Sequence, residues 1–286
     1  KLTKWLASYP IDKERPQKTI ALILAGNIPL VGFHDLLCVL ASGHRVQVKL
    51  SGQDKRLLPF LVDLLAEQSP SWADRVEFTE ERLEGYDGVI ATGSNNTSRY
   101  FDFYFKDKPK IIRKNRHSVA VLSGTETEQE LHDLSRDLLD YFGLGCRSVS
   151  KIWLPRSYNF ENLAKALEAF NGHLEHNKFS NNFHYHRTVL LMNQIPFREI
   201  GPLLFLEKAS NSSALSTLHF EYYEQFSEVN QRLKEERGSL QCIACTASVA
   251  KEIESESVLL GQTQNPRLNA YADGIDTLDF LTTLGS

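Results

Sequence analysis

The segment Lys18-Thr-Ile-Ala-Leu-Ile-Leu-Ala-Gly-Asn27 is apolar through its middle and closes on Gly-Asn. An apolar run that does not alternate, ended by a turn pair, marks a strand buried on both faces. Such a strand needs a parallel sheet covered by helices on either side. The next residues repeat the theme. After Pro29, apolar positions fall at helical spacing over 31–41 and stop at Gly43. A strand at 45–50 follows, then a helix at 57–66 ending near Ser69-Pro70. Strands at 76–78 and 88–92, a helix over 95–105 and a strand starting at Ile111-Ile112 complete the series. Alternation of this kind predicts an α/β fold with an open parallel sheet.

The rhythm changes near residue 122. A polar helical stretch (125–142) leads through Gly143-Leu-Gly-Cys146 to a strand at 149–154, and Pro155 precedes a helix at 159–170. A polar stretch at 171–186 then leads to strands at 188–192, 203–207 and 241–246, with a charged helix at 221–237. This half reads as a second α/β domain. The expected division is 1–122, 123–260, and a C-terminal segment 261–286, rich in Asn, Asp and Gly, that crosses back over the first domain.

The 286 residues are 42% hydrophobic and 24% charged, which places the chain among globular proteins rather than disordered ones. A formal charge of -4 without a long basic run argues against a nucleic-acid partner. No apolar stretch reaches the roughly 18–20 residues of a membrane span, so a soluble, cytoplasmic protein is expected. The chain opens on Lys1 and its single methionine is Met192. A natural start upstream of Lys1 is therefore expected.

Few residues stand out chemically. Cys242 and Cys245 form a CxxC without a partner pair at zinc spacing, and on a strand they point to opposite faces, so a structural role is expected and no metal site. Cys38 lies in an apolar helix. His184 and His186 would form a metal pair on one strand face, but the Asn-rich run around them points to a solvated loop; Asp133, Asp137 and Asp140 are expected on a solvated helix face. Cys146 is different: glycines flank it on one side, Arg147 and Lys151 follow on the other, and nearby cations favour a thiolate. A cysteine at a strand start also serves as ordinary packing. Asn27 ends an apolar strand, where an amide either donates to an oxyanion or caps the next helix. Gly93-Ser94 follows a strand and opens a helix, a turn that either cradles a phosphate or merely caps.

Together, Leu24-Ala-Gly-Asn-Ile-Pro-Leu30 with Val46-Gln-Val-Lys49, Ala91-Thr-Gly-Ser94, and Gly143-Leu-Gly-Cys-Arg-Ser-Val-Ser150 resemble, in this order, the aldehyde dehydrogenase superfamily. The closing runs Gly261-Gln-Thr-Gln-Asn-Pro-Arg-Leu268 and Tyr271-Ala-Asp-Gly-Ile-Asp-Thr-Leu-Asp-Phe-Leu281 resemble the narrower LuxC-type acyl-CoA reductases. The resemblance implies a Rossmann-type cofactor domain (1–122) and a second α/β catalytic domain (123–260). It implies Cys146 as nucleophile and Asn27 as oxyanion-hole amide. Lys49 would meet the cofactor's adenosine ribose, and Thr92, Gly93 and Ser94 its pyrophosphate. Gly52 stands where NAD-preferring relatives often carry a glutamate, which favours NADPH while leaving NADH open. An acyl-transferring partner protein is implied by the resemblance alone, and a homo-oligomer is left open.

Two departures bear on chemistry. The segment matching the family's water-activating glutamate is Ile112-Arg-Lys-Asn-Arg-His117, without a carboxylate. The Glu-x-Phe-Gly-Pro segment is not clearly kept: the nearest position by order is around Ser212-Ser-Ala-Leu215, and Glu199-Ile-Gly-Pro202 lies too early to carry the role. An aldehyde-oxidising dehydrogenase without its base would stall at deacylation, whereas a thioester reductase must keep water from its acyl-enzyme. The expected reaction is NADPH-dependent reduction of an acyl-CoA to the aldehyde. The alternatives are an acyl phosphate or protein-bound acyl substrate, or a non-catalytic nucleotide- or partner-binding relative.

Overall fold

The computed structural model describes residues 1–11, 16–93 and 95–284. The chain divides into two compact units, Lys1–Asn115 with Arg267–Ser286, and Arg116–Pro266. The first boundary falls before the expected 122/123, because His117–Val121 is hydrogen-bonded into the sheet of the second unit. Of the C-terminal segment, 261–266 stays with the second unit and the remainder joins the first.

The first unit contains α1 (Leu2–Leu6), β1 (Thr19–Ile23), α2 (Phe33–Ala41), β2 (Arg45–Lys49), α3 (Leu57–Gln68), β3 (Val76–Thr79), β4 (Gly88–Thr92), α4 (Asn95–Tyr104) and β5 (Lys110–Arg113). Its five strands are parallel in the order β3-β2-β1-β4-β5. The central β1 is flanked on both sides, and Ile20, Ala21 and Leu22 are fully buried. One face packs Ile20, Leu22, Val46, Val48 and Ile90 against Leu36 and Val39 of α2 and Leu58 and Val62 of α3. The other presents Ala21, Val89 and Ala91, whose small side chains leave room for Phe101 of α4. Each fully buried Leu or Ile contributes about 1.5–3 kcal/mol. Pro59 sits in the first turn of α3, where its missing N–H removes no helical bond.

The second unit contains β6 (His117–Val121), α5 (Glu128–Leu139), β7 (Val149–Pro155), α6 (Glu161–Glu168), α7 (Asn177–Met192), β8 (Arg198–Ile200), β9 (Leu203–Glu207), β10 (Thr217–Tyr223), α8 (Phe226–Glu235), β11 (Leu240–Cys245) and β12 (Val258–Leu259). Its sheet runs β12-β11-β6-β7-β10-β9-β8, with β8 antiparallel to β9 and the other pairs parallel. A reciprocal cap starts α5: Thr127 Oγ1 accepts from the Glu130 N–H, and the Glu130 carboxylate accepts from the Thr127 N–H. Beyond this unit the chain returns to the first one, where α9 (Thr277–Thr283) packs Leu278 and Leu281 into the α2 side of that core.

Four sequence expectations are corrected. The strand expected at 188–192 is the end of α7, which buries Phe179, Phe183 and Leu190 at helical spacing. The short run Val189-Leu-Leu191 does not distinguish helix from strand by itself. With it, His184 and His186 move from a loop onto that helix. The helix expected from 221 begins at Phe226, because Thr-Leu-His-Phe-Glu-Tyr-Tyr forms β10 between β7 and β9. Asp137 is not solvated: it is 1% exposed on the inner face of α5. No helix among the described residues is long and apolar enough to cross a membrane.

Candidate active site

In the first unit the strand order reverses direction between β1 and β4, and in open parallel sheets ligands bind beyond the strand ends at such a point. Register brings the expected residues to that edge. Ile23, the last residue of β1, pairs with Lys49 on one side and Ala91 on the other. Asn27 lies exposed in the bend leaving β1. Gly26 is required there, since a Cβ would lie 2.4 Å from Ser51 Oγ in the loop after β2. The Leu30 N–H donates to Asp54 Oδ2 at 2.9 Å, so the two loops hold each other.

Lys49 Nζ donates to the Glu81 carbonyl at 3.1 Å, which holds its ammonium at the end of β2. Thr92 ends β4, and the Gly93 N–H donates to the Arg113 carbonyl at 3.3 Å. A Cβ on Gly93 would lie 3.0 Å from Phe101 and Thr97, so the turn runs tight against α4, which opens at Asn95. A ten-residue helix opening after a strand offers backbone N–H groups to an anion. Ser94, the third expected member of this turn, lies outside the described residues. Gly52 is exposed, with open space where a side chain would stand. Lysine, glycine turn and helix opening on one sheet edge fit the diphosphate and ribose of a dinucleotide.

The segment 112–117, which holds no carboxylate, has a different occupation. Arg113 is 3% exposed and forks onto Asp35 of α2, Nε to Oδ2 at 3.1 Å and Nη2 to Oδ1 at 2.5 Å. It also donates to Thr277 Oγ1 at 2.8 Å and to the Ala272 carbonyl at 2.6 Å. The side chain thus fastens β5 and α2 to the returning C-terminal segment. Sequence reading missed this pair, since nothing local links residues 35 and 113.

Cys146 belongs to the second unit, in an exposed turn before β7 closed by the Ser148 N–H on the Gly145 carbonyl at 3.0 Å. Tyr141 and Phe142 are both left-handed (φ 57° and 58°), a costly conformation for bulky residues that reverses the chain between α5 and the turn. Ser118 Oγ donates to the Cys146 carbonyl at 2.8 Å. Gln264 Nε2 donates to Ser148 Oγ at 3.3 Å. The two cations expected to favour a thiolate have other acceptors. Lys151, fully buried, donates to Glu221 Oε2 and to the Ala209 carbonyl, each at 2.7 Å. Arg147 Nη1 donates to Cys242 Sγ at 3.0 Å. Burial pushes the Cys242 thiol up, against the pull of Arg147 and a Ser118 hydrogen bond. Cys245 packs with Val121 and Val249 on the opposite face. The CxxC pair is therefore built into the two sides of one strand.

No protein-family model and no curated protein matches the chain. Solved structures do. The chain is similar to the indole-3-acetaldehyde dehydrogenase AldA of P. syringae, solved with NAD+ and IAA, at 15% identity and TM-score 0.68, covering 93% of this chain and 67% of that one. Similarity to the aldehyde dehydrogenase KauB of Pseudomonas aeruginosa is at 14% identity and TM-score 0.66, with 93% and 67% covered. Staphylococcus aureus AldH matches at 17% identity and TM-score 0.57, with 84% and 59% covered. This chain thus spans about two thirds of the length of the first of these structures, and it has the α/β fold of the aldehyde dehydrogenases.

Proposed function

We propose that the protein reduces an acyl-CoA thioester to the aldehyde through an acyl group carried on Cys146. The observation that carries this reading is Arg113. In the segment that, by the resemblance, matches the aldehyde oxidisers' water-activating glutamate, this chain has no carboxylate, and Arg113 within it is locked to Asp35. No carboxylate is supplied from that segment to activate water, which supports an acyl-enzyme that persists until it is reduced.

Cys146 attacks the thioester carbonyl carbon as thiolate, and the carbon–sulfur bond to coenzyme A breaks, releasing the coenzyme A thiolate. The resemblance assigns the stabilisation of the developing oxyanion to the Cys146 backbone N–H and to the amide of Asn27. When bound, a nicotinamide cofactor supplies the hydride that reduces the Cys146 thioester. Collapse of the thiohemiacetal frees the aldehyde and returns the Cys146 thiolate. Lys49, Thr92, Gly93 and Ser94 would hold the cofactor in the roles the resemblance implies. NADPH is preferred because Gly52 presents no carboxylate to repel a 2′-phosphate.

The test is intact-protein mass spectrometry after mixing with acyl-CoA thioesters of graded chain length, followed by NADPH. The expected result is an acyl adduct on Cys146 that disappears on adding NADPH, with aldehyde formed. Adduct loss to free acid without NADPH, or turnover of acyl phosphate alone, overturns the reading.

A further inference from the structure

The nucleophile turn is held from a second direction. Asp137 on α5 is 1% exposed, and its carboxylate accepts from the Gly261 N–H at 2.6 Å, the Thr263 N–H at 3.1 Å and Thr263 Oγ1 at 2.7 Å. Burial pushes this carboxyl up, against the pull of those donors. Burying a carboxylate is costly unless its partners are fixed, so the clasp defines the path of 261–263 closely. Gly261, at φ 80°, is suited to that path, for a Cβ there would lie 2.8 Å from Asp133 Cβ. Thr263 is itself fully buried.

The residue after this clasp is Gln264, whose amide reaches Ser148 Oγ at 3.3 Å. Ser148 in turn closes the Cys146 turn through its N–H on Gly145. Two sets of hydrogen bonds, joined by the backbone between Thr263 and Gln264, therefore lead from Asp137 on α5 to the turn that carries Cys146. Ser118 holds the same turn at the Cys146 carbonyl.

We propose that Gln264 is a positioning residue for Cys146: through Ser148 it sets the orientation of the 145–148 turn, and so the aim of the thiol and of the Cys146 N–H. The proposal rests on Cys146 being the nucleophile. Small misplacements of an attacking group reduce rates by up to about a hundredfold, with little effect on binding.

The experiment compares full-length wild type with Gln264→Leu, Ser148→Ala and the double variant. It measures the acyl-Cys146 formation rate by rapid-quench mass spectrometry, KM for the acyl-CoA, and the thermal midpoint. Each single variant should acylate roughly tenfold to a hundredfold more slowly, with KM within about twofold and an unchanged midpoint. The double variant should be no slower than the slower single one, because both remove one bond. Wild-type acylation rates in Gln264→Leu, or rate losses that multiply in the double variant, overturn the positioning role alone. Absence of any Cys146 adduct in the wild type overturns the nucleophile reading and this role with it.

Discussion

Arg113 and Asp35 meet in a two-pronged ion pair with side chains only 4% and 8% exposed. Two charges removed from water in this way are stable only as a pair. Removing one leaves the other buried without compensation, at about 3–5 kcal/mol. Asp35→Ala should lower unfolding stability by that amount in urea titration, with the loss centred on the first unit. Asp35→Leu combined with Arg113→Met should recover most of it, since a well-packed apolar pair of similar volume replaces a buried ion pair with little loss. A double variant as unstable as Asp35→Ala would show that the bonds to Thr277 and Ala272, rather than the pair itself, hold the segment.

Two substitutions address the chemistry. Cys146→Ala should abolish the acyl adduct while leaving the fold intact, because the side chain is exposed. Asn27→Ala should reduce turnover about 10²–10³-fold, the usual consequence of losing one oxyanion donor. Circular dichroism and the thermal midpoint should be unchanged, since Asn27 is exposed in its bend. Full activity in Asn27→Ala would remove the amide from the reaction.

The first unit was legible in the sequence because β1 and β4 are buried on both faces and α2 stops just before Gly43. β1, β2 and β4 fall where the apolar runs predict them, with Lys49 and Thr92 ending β2 and β4, whereas β1 stops at Ile23 and Asn27 lies in the bend beyond it. The second unit was less legible, because its signals are not local. β10 contains His219 and Glu221, which read as polar, yet His219 is buried against the Ser210 carbonyl and Glu221 meets Lys151. The charged look of that strand comes from partners far away in sequence. Asp137 was misread for the same reason: its partners, Gly261 and Thr263, stand at the far end of the unit. Side chains paired across long separations carry no periodicity, and the arrangements around Arg113 and Gln264 belong to that class.

Cofactor choice is testable at Gly52. Its position is exposed, with nothing near the space a side chain would fill, so Gly52→Asp should fold normally. A carboxylate there repels the 2′-phosphate of NADPH and accepts from the ribose hydroxyls of NADH. The expected result is a fall of roughly tenfold or more in kcat/KM for NADPH, with NADH unchanged or improved. An equal effect on both cofactors would place the 2′ position elsewhere.

Stability should depend on pH through the second sheet. Burial holds His219 below the usual histidine range, and its Nδ1–H donates to the Ser210 carbonyl at 2.7 Å. His117, at the start of β6, is lowered by burial too. A histidine with a depressed pKa binds fewer protons folded than unfolded, so its contribution is complete above about pH 6.5 and is lost as pH falls through the folded value. Urea midpoints should therefore be flat from about pH 7 to 8 and decline below about pH 6.5. His219→Gln, whose amide N–H takes over the bond to Ser210, should flatten part of that decline while lowering stability only modestly at pH 7.5. An acid limb equally steep in the variant would assign the decline to other groups.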